Sequence, residues 1–352
     1  MTIYIIFYIA LLIYTFACPR NKIVLSLFCV TFCLLVGMRG IDVGTDTHIY
    51  IQIYHRNGIF GYNGYPEFIY GWIGWLMFQL GLNFSESQTL LMFLTLSPVF
   101  FVFKYRSSYP ALSVFTLFSL YFLFYAMNIT RQAMSCFILL PAYYFFVENQ
   151  GMRRSLLPFS ILVIIASGFH ITALTAFLIP FVVKLNLNSS RVLLGFLLSL
   201  VMGLLLSNDM LGSLIGEYSG YINSDVGTRT ETRTIMSVFL CVYWIFLFCF
   251  TYFQASKELR SSTYMKIFWY SILINNILVK QELGIRVTLL YSIVQTLIYP
   301  MLVRDCKKNA ALIQFTLIIL LSIFLFIFLL NNSAMIVPYT TLDNFYKSYT
   351  TI

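Results

Sequence analysis

The chain has 352 residues, of which 60% are hydrophobic, 18% aromatic and only 10% charged, with a mean hydropathy of +0.84; an ordinary soluble domain carries about 25% charged residues. That balance excludes a soluble globular enzyme and predicts an all-α polytopic membrane protein. The formal charge of +9 does not point to nucleic acid, because the lysines and arginines fall in short loops between apolar runs, as in cytoplasmic loops of membrane proteins.

The first apolar run, residues 2–18, lacks a basic leading segment and a small-residue cleavage site, so it reads as a transmembrane helix and not as a signal peptide. Further runs lie near residues 23–38, 87–103, 110–128, 131–147, 155–169, 170–183, 191–207, 234–254, 264–281, 285–302 and 310–330, which makes about twelve predicted spans. A segment from Phe68 to Leu82 follows Pro66 and Glu67 and carries Gly71, Gly74 and Gly81. It could span, which would reverse the sidedness of the N-terminal part; with residues 39–67 outside it is expected to be one re-entrant or interfacial helix. Pro98, Pro141, Pro158 and Pro180 lie inside apolar runs and are expected to kink or start helices. The seven cysteines form no CxxC or Cys/His spacing and read as small core residues.

Basic residues recur at every second loop: Lys104 and Arg106, Arg153 and Arg154, Lys184 and Arg191, Lys257 to Lys266, and Arg304 to Lys308. Those loops are expected inside, and alternation places Arg131, His170 and residues 207–233 together on the outer face. For residues 39–67 the basic residues balance on the two sides. An outer placement puts every unusual polar cluster on one face, as a shared cavity requires. The expectation is one integral membrane domain over residues 1–352, with outer-face loops at 39–67 and 207–233.

The stretch from Arg39 to Tyr50 packs one arginine, two aspartates, a histidine and two glycines between apolar segments. Asp42 and Asp46 stand four apart and, with Thr45 and Tyr50, could flank a hydroxyl-bearing ligand; equally, Thr45 or Asp46 could cap a helix and Arg39 anchor a helix end. Arg131 and Gln132 open an apolar helix, where a guanidinium either snorkels or grips a phosphate. His170 is a lone histidine between two apolar runs, a structural residue or a member of the same face. Tyr218, Tyr221, Arg229, Glu231 and Arg233 offer stacking faces and carboxylates for a glycan, or a solvated connector. Lys280 and Arg286 bracket a short polar turn. No Ser-His-Asp spacing, phosphate loop, dinucleotide fingerprint or metal-ligand cluster occurs, so no cofactor and no metal are expected.

In order along the chain, Arg39 with Val43-Gly44-Thr45-Asp46 and Tyr50, Arg131-Gln132, Phe169-His170, Arg286 before Leu290-Tyr291, and Pro338-Tyr339 resemble the EpsG-type, Wzy-like polysaccharide polymerases of bacterial inner membranes. Ile41-Asp42 stands where those proteins often carry a single aromatic residue. The resemblance implies a polymerase that joins oligosaccharide units carried on undecaprenyl diphosphate at the outer face of the membrane, making O-antigen, capsule or exopolysaccharide. By that likeness Arg39, Arg131, Arg286 and Lys280 hold the diphosphate, His170 or Asp46 serves the acceptor hydroxyl, and Asp42, Thr45, Tyr50 and Gln132 line the glycan path. The implied partners are the lipid-linked oligosaccharide, membrane lipid and a chain-length regulator. Two rival readings are a flippase of the same lipid, for which repeat symmetry and mid-membrane charge are missing, and a membrane acyltransferase, for which His170 has no evident partner.

Overall fold

The computed structural model describes residues 1–62, 67–148, 153–206, 231–279, 282–331 and 335–341; for residues 148, 153, 154, 231–237, 282, 283 and 285 it describes the backbone alone. Apart from one isolated bridge, the described residues fold as helices and connecting turns, with no strand among them. Two compact units are present, one formed by Met1–Leu174 with Tyr299–Ile352 and the other by Thr175–Ile298.

The first unit contains α1 (Thr2–Ala17), α2 (Lys22–Gly37), α3 (Thr47–Phe60), α4 (Phe68–Gln79), α5 (Phe84–Arg106), α6 (Pro110–Ser119), α7 (Phe122–Asn128), α8 (Thr130–Glu148) and α9 (Arg153–Phe169). A 3-10 turn, Ile171–Leu178, leads on to α10 (Ile179–Val182). The second unit continues with α11 (Ser189–Leu205), α12 (Glu231–Gln254), α13 (Lys257–Ser261), α14 (Thr263–Ile277) and α15 (Glu282–Ser292). Helix α16 (Gln295–Asp305) then brings the chain to α17 (Ala310–Asn331), which belongs to the first unit.

Local chemistry sets the helix starts. Asn83 accepts from the Glu86 amide while the Glu86 side chain accepts from the Asn83 amide, a reciprocal capping box at the head of α5. Asn21 and Asn188 cap α2 and α11 in the same sense, and Pro110 occupies the first turn of α6, where its missing N–H costs nothing. Pro98, Pro141 and Pro158 lie within α5, α8 and α9, and Pro180 starts α10, as the sequence predicts.

Among the described residues three helices are long and apolar enough to cross a membrane: Phe84–Arg106, Arg286–Asp305 and Lys307–Asn331. The pair α6 and α7 makes a fourth if counted as one span, although it bends by 47°. Other apolar helices, among them Thr2–Ala17, Lys22–Gly37 and Ser189–Leu205, have 10–17 residues. The chain is therefore a helical membrane protein, while the expectation of about twelve full spans is met only by these three clear ones and a set of shorter helices. The run expected at residues 170–183 breaks into a 3-10 turn and one short helix, and the run at 110–128 breaks at Tyr121, a left-handed residue with φ of 68°. That conformation costs about 1–2 kcal/mol. The Tyr121 ring lies 4.5 Å from the Phe324 ring and 4.0 Å from that of Phe328, and its hydroxyl donates to the Phe324 carbonyl, which offsets the cost. Helix α4, with 12 residues, is roughly 18 Å long at about 1.5 Å per residue, short of the roughly 30 Å hydrocarbon core.

Helices α2 and α5 are in close contact at Gly37, where a Cβ would collide with both the side chain and the Cα of Thr89. Gly37→Ala is expected to lower stability by about 1–3 kcal/mol, the usual cost of overpacking, read as a reduced denaturation midpoint of the purified protein in detergent.

Candidate functional site

The polar stretch between α2 and α3 is a tight turn held from two directions. Gly44 has φ of +88°, its amide donates to the Met335 carbonyl at 3.0 Å, and a Cβ there would collide with the Met127 carbonyl oxygen. Gly40 donates to the Thr340 carbonyl at 2.7 Å, beside an antiparallel bridge between Arg39 and Thr341. The segment 335–341 is itself fixed by Tyr339, whose hydroxyl donates to the Leu35 carbonyl at 3.0 Å, and by Tyr4, which donates to the Ile336 carbonyl at 2.8 Å.

Arg39 is 0% exposed. Its Nε donates to Thr47 Oγ1 at 3.0 Å, one terminal nitrogen to the Val36 carbonyl at 2.6 Å and the other to Thr130 Oγ1 at 3.0 Å. Each threonine hydroxyl donates its own proton to a backbone carbonyl four residues back, Thr47 to Val43 at 2.6 Å and Thr130 to Ala126 at 2.9 Å. Both hydroxyls therefore present lone pairs to the guanidinium. Burial pushes the Arg39 pKa down to about 10, which leaves it charged at neutral pH. Among the described residues no carboxylate stands within salt-bridge distance of it.

The second arginine lies one residue beyond Thr130 and has a different environment. Arg131 forms an ion pair with Glu67, and its guanidinium carbon lies 5.5 Å from the centre of the Tyr50 ring. The Arg131 side chain is 22% exposed, Glu67 9% and His170 14%. The other oxygen of Glu67 is 3.9 Å from His170 Nε2. On the far side of the ring, the Thr172 amide donates to Nδ1 at 3.4 Å, and Thr172 Oγ1 is 2.7 Å away. An amide N–H pointing at Nδ1 favours the neutral tautomer with its proton on Nε2, the nitrogen that faces Glu67. Tyr70, whose ring is 6.0 Å from that of Tyr50, accepts from Gln88 Nε2 at 3.1 Å and closes the inner wall.

The structure thus brings Arg131, His170 and Tyr50 together, around a carboxylate that the sequence reading passed over. Glu67 follows Pro66 at the start of an apolar, glycine-bearing helix, and an acid at such a place was the available signal. Thr47, Thr130 and Tyr70 also went unmarked. Thr45 Oγ1 stands 2.6 Å from Asn128 Oδ1 and 3.1 Å from Asp46 Oδ1; Asp46 occupies the N-cap position of α3 without a side-chain cap bond. Asp42 is exposed, and Gln132 is buried at 1% exposure. Arg286 is half-buried on α15 in the second unit. Glu231 and Arg233 stand on the first turn of α12 instead of in the expected loop, while Tyr218, Tyr221, Arg229 and Lys280 lie outside the described residues. Among the described residues no group of three or more His, Cys, Asp or Glu side chains is gathered as a metal-binding set.

Thr47→Val and Thr130→Val are each expected to lower stability by about 1–3 kcal/mol, because each leaves a guanidinium N–H buried without an acceptor. Gly44→Ala is expected to do at least as much. Denaturation midpoints in detergent measure all three, and midpoints equal to wild type would show that Arg39 is not held as described.

No curated protein and no solved structure matches the chain. The family model described as EpsG family matches residues 22–341. That match runs from the head of α2 to Thr341, taking in the buried arginine, the Arg131–Glu67–His170 cluster and the closing segment. The chain belongs to the EpsG family, membrane proteins of polysaccharide biosynthesis.

Proposed function

We propose that this protein is a polymerase that joins oligosaccharide repeat units carried on undecaprenyl diphosphate into a surface polysaccharide, acting at the outer face of the bacterial inner membrane. The observation that carries this reading is the Arg131–Glu67–His170 cluster beside Tyr50, a partly exposed cation paired with a buried carboxylate at the ends of apolar helices. Family membership supports the same class of chemistry.

The transfer needs two things from the protein. The C–O bond between the growing glycan and its lipid diphosphate breaks, and the diphosphate leaves with the bonding electrons; a preorganised cation lowers the cost of that charge. A hydroxyl of the incoming unit forms the new glycosidic bond at the anomeric carbon and gives up its proton to a base. Arg131 supplies the cation and Glu67 the base. Their ion pair is the resting arrangement: a diphosphate that draws the guanidinium toward itself uncovers the Glu67 carboxylate at the moment a donor is present. His170 then stands ready with its Nε2 proton directed at Glu67, and so orients the carboxylate. Tyr50 gives the guanidinium a fixed face to lie on.

This assignment revises the roles implied by resemblance. Arg39, buried and bonded through each of its three nitrogens to threonine hydroxyls and a carbonyl, is assigned the role of holding the turn instead of binding the diphosphate. Asp46, which accepts from the same Thr45 hydroxyl that meets Asn128, shapes the loop. Asp42, Thr45 and the exposed edge of α3 border the path of the glycan. Roles for Arg286 and Lys280 in diphosphate binding, and for the 207–233 segment in glycan binding, rest on the resemblance alone.

Purified protein given synthetic lipid-diphosphate repeat units is expected to lengthen them without added nucleotide sugar. Glu67→Gln is expected to lower that rate by about 10²–10⁴-fold, the range for a general base, with an unchanged denaturation midpoint. Arg131→Ala is expected to raise the donor concentration needed as well as to slow turnover. Units that only change leaflet would identify a flippase, and full activity in Glu67→Gln would remove Glu67 from the mechanism.

A further inference from the structure

The end of the first unit away from the Arg131 cluster carries a second built feature. Between helices α5 and α8 lies a groove of about 350 Å³, lined by Ser97, Pro98, Phe101, Val102 and Arg106 from one helix and by Pro141, Tyr144 and Phe145 from the other. One proline from each helix lines it, and neither has an amide to bond, so each leaves a carbonyl of its own helix without the usual partner. The groove opens sideways, for Phe101 is 62% and Phe145 43% exposed.

Both walls end in tyrosines covered by cations. Phe101 packs on Tyr105 with ring centres 4.6 Å apart, and Lys22 and Lys104 lie 5.4 Å and 5.3 Å from the Tyr105 ring. On the other wall Arg106 lies 5.2 Å from the ring of Tyr144. Arg20 sits 5.3 Å from Tyr109 just beyond. Apolar slot, aromatic rim and cationic cap follow one another within the last turns of the two helices. Tyr144 is about 20 Å along α8 from Arg131, at about 1.5 Å per residue, so the groove opens to the opposite leaflet from the proposed glycan site.

We propose that this groove is a binding site for an anionic diacyl phospholipid of that leaflet, one acyl chain lying between Pro98 and Pro141 and the phosphate held by Lys22, Lys104 and Arg106. Charge complementarity selects the occupant: a cationic rim over an apolar slot fits an anionic headgroup joined to a hydrocarbon chain. The distance along α8 separates it from the lipid diphosphate of the opposite face. The proposal stands whether or not the polymerase reading holds.

Native mass spectrometry of the detergent-solubilised protein, titrated with dioleoyl phosphatidylglycerol and dioleoyl phosphatidylcholine, tests it. Wild type is expected to retain the anionic lipid at least tenfold more tightly. The double substitution Lys22→Gln, Lys104→Gln is expected to weaken that lipid by about thirtyfold and to leave phosphatidylcholine unchanged. Ser97→Trp, which fills the slot, is expected to reduce retention of both. Equal retention of the two lipids by wild type overturns the proposal without any variant. So does displacement by glycerol phosphate, which lacks a chain, or by an equimolar polyprenyl diphosphate, which would make the groove an isoprenoid site.

Discussion

A guanidinium sealed from solvent without a carboxylate is the constraint on which the rest of the first unit depends. Arg39 is neutralised by no acid among the described residues, and three acceptors from three separate elements share its charge: the Val36 carbonyl in the last turn of α2, Thr47 at the start of α3 and Thr130 at the start of α8. Losing any one leaves a buried charged donor unmet, a far larger penalty than the net gain of an ordinary hydrogen bond. The three elements are therefore fixed in mutual register. Arg131 is the next residue after Thr130, and Tyr50 follows Thr47 by one helical turn, so the buried arginine positions the accessible one and the ring on which it rests.

Much of this was legible from the amino acids, but the division of labour was not. The stretch from Arg39 to Tyr50 stood out as a polar knot, and Arg131 and His170 as ionisable residues at the ends of apolar runs. Both arginines adjoin helix ends in similar apolar company, so sequence offers no way to tell which is sealed. The difference arises from segment 335–341, nearly three hundred residues away, which covers the turn at Gly40 and Gly44. Glu67 was overlooked because a single acid before a helix reads as an ordinary surface residue until Arg131 and His170 are brought to it. Spans were harder. A left-handed tyrosine at 121 has neither glycine nor proline to announce it, and its stacking on Phe324 and Phe328 and its hydroxyl bond to the Phe324 carbonyl make the break tolerable.

The two ends of α5 summarise how one helix serves two environments. Its first turn is polar and capped, with Gln88 reaching the hydroxyl of Tyr70; its last carries Lys104 and Arg106 on aromatic faces. Between them Pro98 interrupts the hydrogen-bond ladder where the apolar slot opens. The same residue types, arginine and tyrosine, thus stand at both ends of the helix, each beside the anion proposed for it, and it is the added carboxylate of Glu67 that distinguishes the end proposed for catalysis.

The closing segment also orders events in time. Ribosomes deliver the helices to the membrane from the N-terminus onward, so α2, α3 and α8 can be inserted long before Met335 to Thr341 exist. Until those residues arrive, the amides of Gly40 and Gly44 lack their acceptors and the turn that seals Arg39 has no cover. A nascent chain already resident in the bilayer therefore keeps the turn around Arg39 uncovered until its last described segment has folded back across the first.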